Sequence, residues 1–275
     1  MEKTIWFPWL QGIDHAPAVV KACLGSWTMM NPGWKVRFVE WPALPSLFPD
    51  DEALRDRIAH CGMLGEAVAS DLIRVNLLHR YGGVWADATC LCRKPLDLWL
   101  PMLAAQGFFA FSAPAPDRIL SSWFLAARRG NPIVAGWCRS VMHYWAGNPP
   151  RSLVSIDDLE TDPRYREHRR NRGLWFDQFR PEYRSQCPYF WPHYAFEQML
   201  ANDADLAAQW NLVPKMTAAI PHRLQDHGLH KPVDPAFRNE FSNGIAPVFK
   251  LTHKTALSAE DRSTVFGYCL DPANW

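Results

Sequence analysis

Three polar residues define the chemistry that this chain could perform. Asp71 and Arg74, in the segment SDLIR, lie three residues apart and so share one face of a helix. Asp87 follows the short apolar run Val84-Trp85-Ala86, where a buried strand would end, and both helix residues could converge on the mouth it occupies. Near the far end of the chain, a strand over residues 248 to 251 of PVFKLTHK delivers Thr252, His253 and Lys254 to its own end. A carboxylate and an imidazole are ordinary ligands of a divalent ion, so Asp87 and His253 form a candidate pair, with diphosphate oxygens and water completing octahedral coordination. Lys254 could then neutralise phosphate charge, an arrangement that stabilises a leaving nucleoside diphosphate. Each residue alone has a blander reading: Asp87 as a turn or cap, His253 as an ordinary surface or core histidine, and Asp71 with Arg74 as an ion pair of little energetic value.

The elements that must position these groups are partly readable from periodicity. Val68, Leu72, Val75, Leu78 and Tyr81 recur at helical spacing and predict an amphipathic helix over residues 66 to 81. Gly82-Gly83 can then stop it with positive φ before the strand at 84 to 86. Upstream, an aromatic strand over 4 to 9, a helix opened by Pro17 and a strand over 34 to 39 read as β-α-β, which implies a parallel pair with a right-handed crossover. Asp50-Asp51 should cap another helix. Downstream, the pattern predicts a helix over 95 to 106, a strand over 107 to 112, a proline-broken loop over 113 to 117 and an apolar strand or strand-to-helix start over 120 to 127. A helix over 132 to 145, one over 191 to 206 and a short strand over 211 to 216 follow. The order of elements is that of an α/β chain, and its length fits residues 1 to 275 forming one domain. Ligands of open α/β sheets gather at the carboxyl ends of the strands, where Trp6 and Trp9, Asp87 and Thr89, and His253-Lys254 all fall.

Bulk composition narrows the function. A formal charge of +1 implies no polyelectrolyte partner, so nucleic acid is disfavoured. The segment 148 to 192 changes character, with proline, aromatic residues and a cluster of Arg164, Arg166, Arg169, Arg170 and Arg172; it reads as a solvated lid, or more sharply as an anion-binding rim or a peripheral membrane contact. Fourteen tryptophans suit either flat ligands or core volume. Seven scattered cysteines without a CxxC pair suggest reduced thiols in the cytosol. Cys90 and Cys92 would point to opposite faces of a strand and share no zinc. The start MEKTIWFPWL lacks a signal peptide's long apolar region, and no run approaches about eighteen apolar residues, so a soluble protein is expected. There is no GxGxxG phosphate loop and no GxSxG elbow, and His222, His227 and His230 lack metal-site spacing.

The combination of SDLIR, LLHRYGGVWADAT and KPLD resembles the capsular polysaccharide synthesis protein family, relatives of the DXD-bearing sugar transferases that include yeast mannosyltransferases and the clostridial glucosylating toxins. IWFPWLQGIDHAPAVVKACLGSW, SSWFLAAR, YFWPHYAFE and LTHK are also similar to that family's pattern, so the resemblance spans nearly the whole chain. It implies a GT-A fold, α/β with a Rossmann-like mixed sheet flanked by helices, a nucleotide-sugar donor, most simply a UDP-sugar, and a manganese or magnesium ion. Asp71 and Arg74 would bind donor sugar hydroxyls, and the DXD-like position falls on Asp87-Ala88-Thr89, where Thr89 replaces the second carboxylate. Asp87, Thr89 and His253 would then be the metal set. Trp6 or Trp9 would stack on the base, and Gly83, Ser122 and Lys254 would complete the donor contacts. Some relatives carry an amide near the segment matching LSSWF; Ser121 and Ser122 stand there instead.

The resemblance further implies hexosyl transfer to a surface polysaccharide or a lipid-linked glycan, mostly with retention, by a cytoplasmic enzyme peripheral to the inner membrane face. Residues 148 to 192 would be an aromatic and basic acceptor-side insertion, with His193 and Glu197 facing the acceptor. Two alternatives stand beside it: a protein acceptor, and a degenerate nucleotide-sugar-binding protein of capsule assembly.

Overall fold

The computed structural model describes residues 1–146, 149–176, 185–244 and 246–275. Its centre is a five-stranded sheet in the order β2-β1-β3-β6-β5, formed by β1 (Thr4–Pro8), β2 (Lys35–Val39), β3 (Gly83–Ala86), β5 (Phe108–Ala115) and β6 (Arg118–Ala127). β2, β1 and β3 run parallel, while β6 is antiparallel to both β3 and β5, which gives the mixed α/β sheet expected. Between β3 and β5, β4 (Cys90–Cys92) leaves the sheet and pairs antiparallel with β9 (Val248–Lys250), placing Cys90 opposite Lys250.

Alternation along the strands divides the core in two. Trp6, Trp85, Leu125 and Ala127 face one side and join the helices Glu66–Tyr81 and Pro132–Tyr144. Ile5, Phe7, Val84, Ala86, Phe124 and Ala126 face the other, with the helix Ala18–Met30. Both faces are covered by apolar side chains, which is why the central strands read as continuous apolar runs rather than as alternating ones.

The helix Glu66–Tyr81 forms over the predicted residues but is not amphipathic. Ile73 and Leu77 are buried as fully as Leu72 and Val75, and Asn76 buries its amide by donating to the Leu72 carbonyl at 2.9 Å. From Asp71 to Leu78 this helix is enclosed on all sides, as expected for one that lies between the sheet and other helices. At its end Gly82 and Gly83 both adopt positive φ, 66° and 96°. A Cβ on Gly83 would stand 2.6 Å from the Thr4 carbonyl oxygen, so the close pairing of β3 with β1 needs glycine here. Asp51 caps the helix Glu52–Leu64 as predicted, accepting from the Leu54 amide at 3.0 Å.

Two local readings are corrected. Residues 113 to 115 continue β5 instead of forming a loop, and a tight turn at Pro116-Asp117 returns the chain as β6; register shifts and a positive φ at Ala113 absorb the irregular sequence. The strand expected over 211 to 216 is instead the end of a helix, Ala204–Leu212, capped by Asp203 and followed by an extended segment that bridges Ser112 and Thr217. Pro214 comes too late to stop that helix earlier. Of the 148 to 192 segment, positions 148 and 177 to 184 lie outside the described residues. The rest includes β7 (Ser152–Val154) paired with β8 (Gln186–Pro188), and a small apolar cluster of Val154, Leu159, Tyr165, Trp175 and Tyr194. Among the described residues, no helix is long and apolar enough to cross a membrane.

Candidate functional site

Because Gly83 ties β3 tightly to β1, Asp87 emerges at the carboxyl end of the parallel strands, held by its amide donating to the Trp123 carbonyl at 2.8 Å. The helix Glu66–Tyr81 runs back along the sheet, so its first half stands over that same end. Arg74 reaches from it with three contacts: Asp71 Oδ1 at 3.1 Å, Asp87 Oδ1 at 3.5 Å and the Ser122 hydroxyl, which accepts at 2.5 Å. Its guanidinium also lies over the Trp85 ring, 5.1 Å from the centroid. Asp71, Arg74 and Ser122 are all buried. Asp71, Arg74 and Asp87, expected from sequence to face one mouth, are brought together in the folded chain, and Ser122 joins them through Arg74.

The residue that completes the cluster was not singled out by spacing. Lys250, at the end of β9, donates to Asp87 Oδ2 at 3.1 Å and to the Thr89 hydroxyl at 2.9 Å. Its backbone is fixed on both sides, since the Leu251 amide donates to the Thr89 carbonyl and the Gln225 amide group donates to the Lys250 carbonyl, each at 2.8 Å. A lysine within the apolar run VFKL was the available signal, because a charge in a buried strand needs a partner.

The charges act on one another. Burial, with Asp87 nearby, raises the Asp71 carboxyl to about 7, against the opposing pull of Arg74. Burial would also raise Asp87, but Lys250, Arg74 and the Trp85 indole N–H outweigh it and hold that carboxyl below its ordinary range. For Lys250 the penalty of burial is outweighed by Asp87, which keeps the ammonium charged. Tyr189, another residue missed, has its phenol raised by burial and then by Asp71 and Asp87, which places it within the field of the cluster.

The other predicted residues divide. Trp9 borders the mouth at the end of β1, edge-on to His253 with ring centroids 5.4 Å apart, and its buried indole N–H has no hydrogen-bond partner. Trp6 is a core residue: it is 1% exposed and its indole donates to the Gly82 carbonyl at 2.9 Å, so it offers no face to a base. Gly83 acts through backbone geometry rather than through contact with a ligand. His253 and Lys254 are exposed, and His253 is shifted toward its neutral form by partial burial and the adjacent Lys254. His193 is buried, and burial with Arg118 and Arg74 lowers it to about 3, so the imidazole is neutral. Glu197, on the helix Trp191–Asn202, is committed at 2.6 Å to Arg172 of the insertion. Arg169 donates to the Leu159 carbonyl and Arg164 pairs with Asp162, while Arg164, Arg166 and Arg170 are all exposed. Ser121 alternates away from Ser122 and is buried. A cavity of about 390 Å³ bordered by Lys3, Trp34, Asp97 and Arg128 lies at the amino end of β1 and includes none of the cluster.

The residues do not fit a resident divalent ion as they are arranged. Both Asp87 oxygens already accept protein donors, and the Lys250 ammonium bridges Asp87 and Thr89, the positions a metal would share. An ion placed there would meet a fixed positive charge. Among the described residues, no group of three His, Cys, Asp or Glu side chains is placed to hold a metal.

The fold and cluster define an α/β protein with two carboxylates and two cations gathered at the carboxyl ends of its parallel strands. The chain belongs to the capsular polysaccharide synthesis protein family, whose model matches residues 1–152 and 173–269. It is similar to the "Probable glycosyltransferase FCK3" of Fusarium pseudograminearum (28% identical over 58% of this chain and 43% of that protein). It is also similar to the "Glycosyltransferase afumC" of Aspergillus fumigatus (31%, 53% and 41%) and the "O-glycosyltransferase PaGT" of Phomopsis amygdali (27%, 59% and 42%). The chain spans about two fifths of the length of these curated relatives. Among solved structures, the ligand-free glycosyltransferase domain of the YGT toxin aligns over 88% of this chain and 89% of that one, with 9% identity and a TM-score of 0.46.

Proposed function

We propose that this protein is a glycosyltransferase that moves a hexose from a nucleotide-sugar donor, a UDP-sugar in the simplest case, to a hydroxyl of a surface polysaccharide or lipid-linked glycan. The observation that carries this reading is the convergence of Arg74 on Asp71, Asp87 and Ser122 at the carboxyl ends of the parallel strands. Family membership supports it independently.

In this reading Asp71 accepts from donor sugar hydroxyls, while Arg74 donates to them and fixes the carboxylate geometry. Asp87 anchors the two cations of the cluster, and Trp9 provides an aromatic wall for the base. In the transfer step the anomeric carbon loses its bond to the β-phosphate oxygen, which keeps the electron pair. The acceptor hydroxyl oxygen bonds to that carbon, and its proton ends on the departing diphosphate. Pre-positioned positive charge lowers the barrier because charge develops on that oxygen as the bond breaks.

The test is a melting-shift screen against nucleotide sugars, followed by measurement of free sugar released from any that bind. Stabilisation with slow release supports the reading, and its loss in Asp87→Asn, with the fold retained by circular dichroism, assigns the site. Stabilisation without release from any donor and any glycan acceptor would favour the non-catalytic binding alternative, and no response to any nucleotide sugar would refute the reading.

A further inference from the structure

We propose that Lys250, rather than a divalent ion, supplies the positive charge that receives the leaving nucleoside diphosphate. This inference rests on the donor reading above and identifies the group that acts on the bond being broken.

The geometry favours the ammonium in three ways. First, it bridges Asp87 and Thr89, at 3.1 and 2.9 Å, and so holds the place that two shared ligands would give an ion. Second, an ammonium has three donors; Asp87 and Thr89 take two, which leaves one to meet a phosphate oxygen. Third, this side of the cluster is the open one. The Lys250 and Asp87 side chains are 18% and 25% exposed, against 6% for Arg74, which flanks the other Asp87 oxygen from inside. Pairing of β9 with β4, together with the Leu251 and Gln225 hydrogen bonds, fixes the stem of the lysine before any ligand arrives, so little ordering is needed on binding. As the anomeric C–O bond breaks, the electron pair moves onto the β-phosphate oxygen and the Lys250 N–H donates to it; the lysine keeps its proton, and the acceptor's proton ends on the diphosphate.

A lysine serving only as a structural partner of Asp87 would sit equally well in a folded protein, so the test must read ligand binding. The full-length protein is stripped with EDTA and titrated calorimetrically with UDP and with GDP, with and without Mn²⁺, while free Mn²⁺ is followed by its EPR signal. The expected result is metal-free binding of at least one nucleotide, changed less than about threefold by Mn²⁺, and loss of about tenfold or more in Lys250→Met. Removing the ammonium also opens the bridged position, so Mn²⁺ should restore binding to Lys250→Met although it does little for the natural protein. If Lys250→Met fails to fold, Asp87→Asn/Lys250→Met removes both charges together, and circular dichroism verifies its fold; it should lose the metal-free binding. Binding that appears only with Mn²⁺ in the natural protein, or that survives unchanged without the lysine, would overturn the inference while leaving the donor reading intact. Failure of both nucleotides to bind in either condition, with the UDP- and GDP-sugars also silent in the melting screen, would overturn the donor reading and this inference with it.

Discussion

Lys250 and Asp87 are separated by 163 positions in sequence, yet their side chains meet at 3.1 Å at the carboxyl end of the parallel strands. The contact joins two structural units. Asp87 is placed by β3 and the glycine turn before it, whereas Lys250 is placed by the pairing of β9 with β4. The cluster therefore forms only when the C-terminal part of the chain has docked.

Loss of Arg74 should be costly to the fold. Arg74→Met leaves Asp71 buried without its partner and the Ser122 hydroxyl without its donor, a change expected to cost about 3–5 kcal/mol. Asp71→Asn/Arg74→Met should recover much of that loss, because the two residues are coupled. Urea unfolding of both variants measures the difference; equal destabilisation of the single and double variants would contradict the coupling.

Stability should carry the signature of Asp71. Its carboxyl titrates at about 7 in the folded chain against an ordinary value of 3.8, so the folded state holds the proton more tightly. The resulting stabilisation is fully present below about pH 4 and is lost as pH rises to about 7. Asp87 acts in the opposite sense, since its lowered value contributes stability at neutral pH that is lost on acidification. Melting temperatures of the natural protein and Asp71→Asn across this range should converge on a constant difference above about pH 7, with the natural protein gaining relative to the variant below it.

Gly83→Ala should disrupt the site through the backbone. The added Cβ would stand 2.6 Å from a β1 carbonyl at a φ of 96°, and both effects oppose the native pairing. A loss above about 2 kcal/mol is expected, since left-handed backbone alone costs an L-residue roughly 1–2 kcal/mol. Thermal unfolding measures it; a variant as stable as the natural protein would show that β3 can move away from β1.

The two tryptophans of the first strand should behave differently. Trp6→Phe removes a buried hydrogen bond to Gly82 and should cost on the order of 1–3 kcal/mol of stability without a specific effect on nucleotide affinity. Trp9→Phe breaks no protein hydrogen bond but shrinks the aromatic wall at the mouth, so affinity should fall more than melting temperature. Paired titration and melting data separate the two roles.

What the sequence made legible was local. Helical spacing, the Gly82-Gly83 stop and the apolar run after it placed Asp71, Arg74 and Asp87 correctly, because each signal lies within a few residues of the group it positions. The helix was nevertheless read as one-sided. Burial of Ile73 and Leu77 depends on neighbours elsewhere in the chain. Trp6 and Trp9 looked alike as aromatic residues near one strand end, and only the sheet's faces distinguish the core residue from the one at the mouth. The role of Lys250 depends on the β4–β9 register, and a long-range pairing leaves no periodic trace in either strand, whereas His253-Lys254 stand out locally as a polar pair after an apolar run.

The most direct test of the account is the rate of sugar release from whichever nucleotide sugar stabilises the protein, compared between the natural chain and Asp87→Asn. Asp87→Asn keeps the side-chain shape but removes the charge that holds Lys250 and Arg74 in place. The account predicts slow release by the natural protein and a fall of about a hundredfold or more in the variant, with circular dichroism unchanged. Release at the same rate by both proteins would contradict it.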